Sequence, residues 1–290
     1  MRDLYRAIAF LLIGVSLFSI MDGLGRFLAA DFPVVQLVWA RFAFAVPVLL
    51  ATTSPHRWAR LLVCNQPGLQ AARTVLLLAA TASILVSLTL MPLADVTAIT
   101  FAAPLFVVAL SSPLLRERVG LPAWVGVALG FVGVLIVARP GLGSFSWVLA
   151  FPLLAAFLFG LYQALTRLVS RGDPPITTLA WTILLGFFLT TPLLAFGWGW
   201  GSPLSWALLI STGLLFGVGH IFFIRAFALA PAAMITPFTY GQMVAAILFG
   251  VLVLGEVPDR WTLAGTALII LAGIYVLRRE TGSRTELPAF

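Results

Sequence analysis

The chain has 290 residues, of which 61% are hydrophobic and only 9% charged, with a mean hydropathy of +1.10. About a quarter of the residues in a soluble globular domain are charged, so that class is excluded. The formal charge of +7 comes from arginine alone, and most of the 17 basic residues fall at predicted helix ends, so the basicity reads as membrane topology and not as nucleic-acid binding.

At about 20 residues per crossing, the length holds roughly ten membrane helices with short connections. The apolar runs are continuous and do not alternate with period two, which excludes an outer-membrane barrel. In chain order, helices are predicted over 5–30, 33–52, 68–91, 93–115, 120–138, 145–170, 174–197, 203–229, 231–254 and 259–278. Pro33, Pro92, Pro122, Pro174, Pro203 and Pro231 stand at boundaries, where a missing amide hydrogen costs little. Trp147, Trp198, Trp200, Trp206 and Trp261 fall near helix ends, the pattern of an interfacial aromatic belt. The longest internal connection, 53–67, carries His56, Arg57, Trp58 and Arg60 and reads as an interfacial loop or short amphipathic segment. A single cysteine, Cys64, excludes an intrachain disulfide and a cysteine-based metal cluster, and neither metal nor cofactor is expected. The first apolar run continues past Gly23 without a small-residue cleavage site, so no cleavable signal peptide is expected.

The segment from Leu90 to Val137 repeats as Leu229 to Val276, at an offset of 139. That register sets Pro92 over Pro231, Ala94 over Ala233, Thr97 over Thr236, Thr100 over Thr239, Phe101 over Tyr240, Glu117 over Glu256 and Gly126 over Gly265. Upstream, Phe18 and Arg26 fall over Phe159 and Arg167, and Pro33 over Pro174, at 141. Leu and Val matches are cheap in so apolar a chain, whereas paired Pro, Thr, Glu and Gly are not. Repeated halves embedded in lipid are the architecture of a secondary transporter.

With the N-terminus in the cytoplasm, the inner side receives Arg2, Arg6, Arg57, Arg60, Arg116, Arg118, Arg167, Arg171, Arg278, Arg279 and Arg284. The outer side receives Arg139, Arg260 and Arg26. Eleven against three orients the chain with both termini cytoplasmic. Five helices per half is an odd number, so the halves, 1–138 and 139–290, enter the membrane in opposite senses.

Phe18-Ser19-Ile20-Met21-Asp22, the run Leu93-Ala94-Asp95-Val96-Thr97-Ala98-Ile99 and Ala103-Pro104-Leu105-Phe106 resemble the drug/metabolite transporter superfamily. Arg116-Glu117-Arg118 ahead of Gly126, and Gly255-Glu256 ahead of Gly265, resemble the paired repeat of its EamA branch. The resemblance covers nearly the whole chain. It implies an all-α integral membrane protein of ten transmembrane helices, in two inverted five-helix repeats around a central cavity. Helices 1–4 and 6–9 would line that cavity and helices 5 and 10 would lie outside it. Family members move amino acids, nucleoside-like metabolites, cofactors, polyamines or drugs.

Ionisable groups inside a bilayer are costly and face a cavity or a partner. Asp22 and Arg41 each lie about eight residues below the outer ends of helices 1 and 2, roughly 12 Å deep at 1.5 Å per residue. Their matched depth predicts an ion pair that either gates or couples transport, clamps a zwitterion, or is structural, and Arg26 is one turn away to share it. Arg73 and Arg225 lie in the cytoplasmic half, where an arginine can snorkel to the interface or face a carboxylate- or phosphate-bearing solute. His220 is deeper in helix 8 and is either a proton relay or a hydrogen-bonded packing residue.

Uncharged polar groups at mid-membrane complete the binding candidates: Tyr240 and Gln242 in helix 9, and Tyr162 and Gln163 in helix 6. Tyr offers an aromatic wall with a hydroxyl, and Gln both donor and acceptor. Thr97, Thr236 and Phe101 are repeat-related positions, and a helical Thr can also satisfy itself on the preceding turn. Pro104 and Pro237 invite kinks. Asp95 reads as a helix cap, Glu117 and Glu256 as structural carboxylates at helix–loop junctions, and Gly130, Gly133, Gly265 and Gly273 as close-packing positions.

No HExxH, no nucleotide-binding glycine loop and no clustered acidic motif is present, which argues against a membrane-embedded transferase. The expectation is a secondary transporter of the cytoplasmic membrane for a small organic solute, amino-acid-like or otherwise zwitterionic or anionic, working by alternating access. A multidrug or cationic-metabolite exporter of the same fold is the alternative. The expected partners are the solute and the lipid bilayer, with a homodimer allowed and no nucleic acid.

Overall fold

The computed structural model describes residues 2–90, 96, 99–138, 147–254 and 259–285. Every regular element among them is helical. α1 spans Arg2–Leu28, α2 Val34–Ala43, α3 Val46–Ala51 and α4 Pro67–Leu90. α5 covers Ala103–Leu115, α6 Leu121–Ala138, α7 Ala150–Val169, α8 Pro175–Ala180 and α9 Gly186–Thr190. The chain closes with α10 (Pro203–Leu229), α11 (Ala232–Ile235), α12 (Gly241–Leu254) and α13 (Arg260–Thr285).

Among the described residues, seven helical runs are long and apolar enough to cross a membrane: Arg2–Gly25, Val34–Ala51, Trp147–Val169, Pro175–Phe196, Pro203–Leu229, Ala232–Val253 and Arg260–Arg279. Two shorter apolar helices, Ala103–Leu115 and Leu121–Ile136, accompany them. The chain is therefore an all-helical, multi-pass membrane protein.

Several predicted helices are subdivided, and proline supplies the reason in three of them. The run 33–52 breaks between α2 and α3, because Pro47 in the first turn of α3 has no amide hydrogen to continue the ladder. Pro237 lies in a tight 3-10 segment, Thr236–Tyr240, that joins α11 to α12. Pro104 sits in the first turn of α5, so it starts a helix where a kink within one was expected. Between α8 and α9 the helix widens to a π turn, Trp181–Leu185. The connection after α3 holds one short 3-10 turn, Pro55–Arg60. The predicted positions Asp95, Thr97, Arg139 and Glu256 lie outside the described residues.

Packing follows the small residues. α1 runs along α10 and α12, α7 along α4 and α5, and α6 along α13. A Cβ added to Gly14 would stand 3.0 Å from the Gly219 carbonyl oxygen, and one on Gly133 would stand 2.9 Å from that of Gly265. Without side chains at these points two backbones can meet, which is how helices gain dispersion contact where lipid removes the hydrophobic driving force. The main core fills the space between α1, α2, α4, α5, α7 and α10 and includes Leu11, Phe42, Val107, Tyr162, Phe223 and Phe227.

Candidate functional site

Asp22 belongs to the inward stripe of α1. Leu4, Ile8, Leu11, Val15 and Phe18 recur at spacings of four and three and are all at most 9% exposed, and Asp22 is the next position of the series. The Phe18 side of α1 meets α10 at Gly219, while Leu12 and Gly23 meet α12 at Gly241 and Phe249. Asp22 projects between those two helices. Its Oδ1 accepts a hydrogen bond from the Arg41 guanidinium at 3.0 Å, so the expected pair forms. The side chains remain 49% and 28% exposed.

Arg73 is completely buried and reaches no interface. Its Nε donates to the Thr166 hydroxyl at 3.2 Å. One terminal nitrogen donates to the Thr182 hydroxyl at 2.7 Å and to the Thr178 carbonyl at 3.0 Å, and the other to the Tyr162 hydroxyl at 3.2 Å. The guanidinium also lies 5.0 Å from the Tyr162 ring centroid, a cation–π contact. Gln70, one turn earlier on α4, accepts from Arg73 at 3.4 Å and passes its amide hydrogen to Asp173 at 2.9 Å. This network binds α4, α7 and the α8–π segment together. The Arg73 guanidinium, expected either to snorkel or to face a carboxylate- or phosphate-bearing solute, thus finds neutral acceptors within the protein.

An aromatic run joins the two charged centres. The Tyr162 ring stacks on Phe223 at 6.1 Å with planes 14° apart. Phe223 meets Phe18 at 5.9 Å and His220 at 6.2 Å. His220 packs 4.0 Å from Phe216, which in turn lies 4.9 Å from Phe42, the neighbour of Arg41. The His220 Nδ1 is 3.0 Å from the Phe216 carbonyl, the hydrogen-bonded packing arrangement among the two expected.

The other candidates are scattered. Tyr240 is fully buried in a separate cluster with Val108, Val127, Met243 and Ile269, its ring against Gly130 and stacked on Phe101 at 6.2 Å. Its hydroxyl, like the Oε1 of buried Gln163, has no hydrogen-bond partner among the described residues. Thr236 donates to its own helix, at the Ala232 carbonyl, at 2.7 Å. Gln242 is part-buried and Arg225 exposed. Missed in sequence reading were Gln70, Thr166, Thr178, Thr182 and Asp173. Gln70 and Arg73 three apart, and Thr178 and Thr182 four apart, give same-face spacings that could have flagged them.

A second polar junction ties the chain after α5 to the end of α7 and the start of α11. Glu117 follows α5 and takes Arg167 Nε at 2.8 Å and Arg171 at 3.0 Å. Its other oxygen accepts the Ala232 amide hydrogen at the start of α11, at 2.9 Å. Among the described residues no group of three or more His, Cys, Asp or Glu could hold a metal.

Comparison with known proteins agrees with this architecture. The model of the EamA-like transporter family matches residues 5–139 and again 145–278. A riboflavin transporter of Rhizobium johnstonii is 30% identical over 203 residues, covering 68% of this chain and 66% of that protein. A riboflavin transporter of Vibrio cholerae is 28% identical, covering 91% and 90%. An S-adenosylmethionine uptake transporter of Rickettsia prowazekii is 23% identical, covering 99% and 97%. One solved crystal structure superposes with a TM-score of 0.80 at 17% identity, over 97% of this chain and 99% of the other, a likeness of fold. With both halves of the chain matching one family model, the protein belongs to the EamA-like transporter family of the drug/metabolite transporter superfamily and is a membrane transporter of small metabolites, not an enzyme.

Proposed function

We propose that the protein is a secondary transporter of the cytoplasmic membrane that crosses it ten times, with both termini inside. It carries a small organic metabolite by alternating access between inverted halves, 1–138 and 139–290. The observation that carries this reading is the interior line of polar and aromatic groups, from Asp22–Arg41 through Phe18, His220 and Phe223 to Tyr162–Arg73. A midplane site between repeats is where such folds bind solute.

The inverted repeat has independent support in the packing. Exchanging the halves turns the α1–α10 contact into α7–α4, turns α1–α12 into α7–α5, and leaves α6–α13 as itself. Phe101 and Tyr240, mates in the repeat, stack on each other. Pro33 and Pro174 open α2 and α8 with matching backbone angles, φ −62° and ψ 148° against φ −62° and ψ 145°. Asp31, at the α1–α2 turn, is bonded by Ser205 in the first turn of α10, while Asp173, at the α7–α8 turn, is bonded by Gln70 in the first turn of α4.

The named substrates of the relatives, riboflavin and S-adenosylmethionine, both contain a planar heteroaromatic ring, which an aromatic-walled cavity suits. Purified protein in liposomes is expected to take up one of these compounds saturably. Failure to move either, with saturable movement of a lipophilic cation instead, would replace this reading by the multidrug one. Orientation is tested in a Cys64→Ser background. Trp200→Cys is expected to react with an impermeant maleimide from outside intact cells, and Ser54→Cys only after permeabilisation. The reverse pattern overturns the topology.

A further inference from the structure

We propose that Asp22 and Arg41 together read the hydrogen-bonding edge of an uncharged planar heterocycle. Asp22 accepts a ring N–H, of imide or exocyclic-amine type, and Arg41 donates to the neighbouring ring carbonyl or ring nitrogen. This rests on the metabolite-transport reading above and narrows it to a substrate class.

The first observation is a change of environment along one helix stripe. From Leu4 to Phe18 the inward face of α1 is packed shut, each residue at most 9% exposed. One turn later, on the same face, the Asp22 side chain is 49% exposed. An inward position left this accessible is a gap in the packing between helices. It lies between the α10 side of α1, at Phe18 and Gly219, and the α12 side, at Gly23 and Phe249.

The second observation is how incompletely the pair is used. A closed carboxylate–guanidinium pair makes a two-point fork, but here a single oxygen, Asp22 Oδ1, meets a single nitrogen of Arg41. The contrast with the other arginines turned toward protein is direct. Arg73 has partners on all three of its nitrogens, and Arg167 spends Nε on Glu117 and a terminal nitrogen on the Phe227 and Ala228 carbonyls. No such set of backbone and side-chain acceptors surrounds Arg41 among the described residues. Asp22 therefore keeps a second oxygen that can accept, and Arg41 two further nitrogens that can donate, on one joined pair.

The third observation is what lies beside them. Phe18 is one turn from Asp22, and Phe42 adjoins Arg41 in sequence. Both pack on Phe216, at 6.5 and 4.9 Å, and Phe18 lies 4.8 Å from His220. These rings are themselves buried, so a planar solute entering beside Asp22 would meet the rim of this layer and turn its own polar edge to the pair. Charge decides against an ionic solute at this point. Asp22 and Arg41 sum to zero, so a neutral ligand leaves the site balanced, whereas one net charge would stand unbalanced in a medium of low dielectric.

The test uses three probes on purified protein: lumiflavin, which is the bare flavin ring with a free imide N–H, its N3-methyl derivative, and L-methionine as a ringless zwitterion. Wild type is expected to bind lumiflavin at least tenfold more tightly than the methyl derivative, and L-methionine not at all. In the charge-balanced double variant Asp22→Ala/Arg41→Ala the preference is expected to vanish. Retained binding of the methyl derivative shows there that the fold survives. A double variant that still prefers the free imide, or a wild type that does not, overturns the role of the pair. Displacement of lumiflavin by L-methionine makes the pair a zwitterion clamp instead. Wild-type protein that binds neither flavin, and transports neither riboflavin nor S-adenosylmethionine, overturns the parent reading along with this one.

Discussion

Replacing Glu117 by alanine is expected to lower the stability of the protein in detergent by about 3–5 kcal/mol, the scale of removing one partner from a buried ion pair. The carboxylate is 9% exposed and serves three elements at once. It holds Arg167 and Arg171 at the end of α7, and it caps the first free amide of α11. The two arginines are not equal contributors. Arg167 is 15% exposed and also donates to the last carbonyls of α10, so its loss orphans several groups. Arg171 is 41% exposed, and water screens its share of the pair. Arg171→Ala should therefore cost less than about 1 kcal/mol, while Arg167→Ala approaches the effect of Glu117→Ala. Thermal unfolding of the three variants side by side checks the order. Equal small losses in all three would mean that the junction does not hold the helices.

What could be read in the chain was depth and spacing; what could not was facing. Asp22 and Arg41 were legible as a pair because both are charged, both lie about 12 Å from the same face by helix rise, and their helices are joined by a short turn. Arg73 was not legible, because the acceptors that receive its protons come from Thr166, Thr178 and Thr182, about a hundred residues away. Beyond Gln70 three residues earlier, nothing local separates a snorkelling arginine from one folded into such a network. Tyr240 shows a different limit. Its polar hydroxyl at mid-helix pointed to a cavity, but Pro237 tightens the segment Thr236–Tyr240 into a 3-10 turn. That change of pitch alters the phase of every following side chain, and the ring ends on Gly130, away from the aromatic run. Likewise the π turn at Trp181–Leu185 adds residues to one turn, which a 3.6-residue period cannot anticipate.

Exchange of Arg73 for lysine is expected to reduce transport roughly as much as exchange for methionine does. If the charge at this position served to attract an anionic solute, lysine would keep most of the activity. The geometry argues otherwise. The guanidinium uses Nε and both terminal nitrogens to reach Thr166, Thr182, the Thr178 carbonyl and Tyr162 on two other helical segments. An ammonium is a point donor and cannot span that fork. Losing a single charged hydrogen bond is worth about 1.5–3 kcal/mol, or roughly ten- to a hundredfold in an equilibrium constant. The expected cost in folding stability is smaller, because the hydroxyls left behind keep partners of their own. Thr166 donates to the Tyr162 carbonyl at 2.7 Å and Thr182 to the Thr178 carbonyl at 2.9 Å. The loss should therefore fall on the coupling of α4 and α7 to the π turn, where the helix beside them departs from α geometry. Uptake and unfolding temperature measured on Arg73→Lys and Arg73→Met decide the matter. Wild-type uptake in the lysine variant, with loss only in the methionine variant, would return Arg73 to the solute and make its charge the reason for its burial.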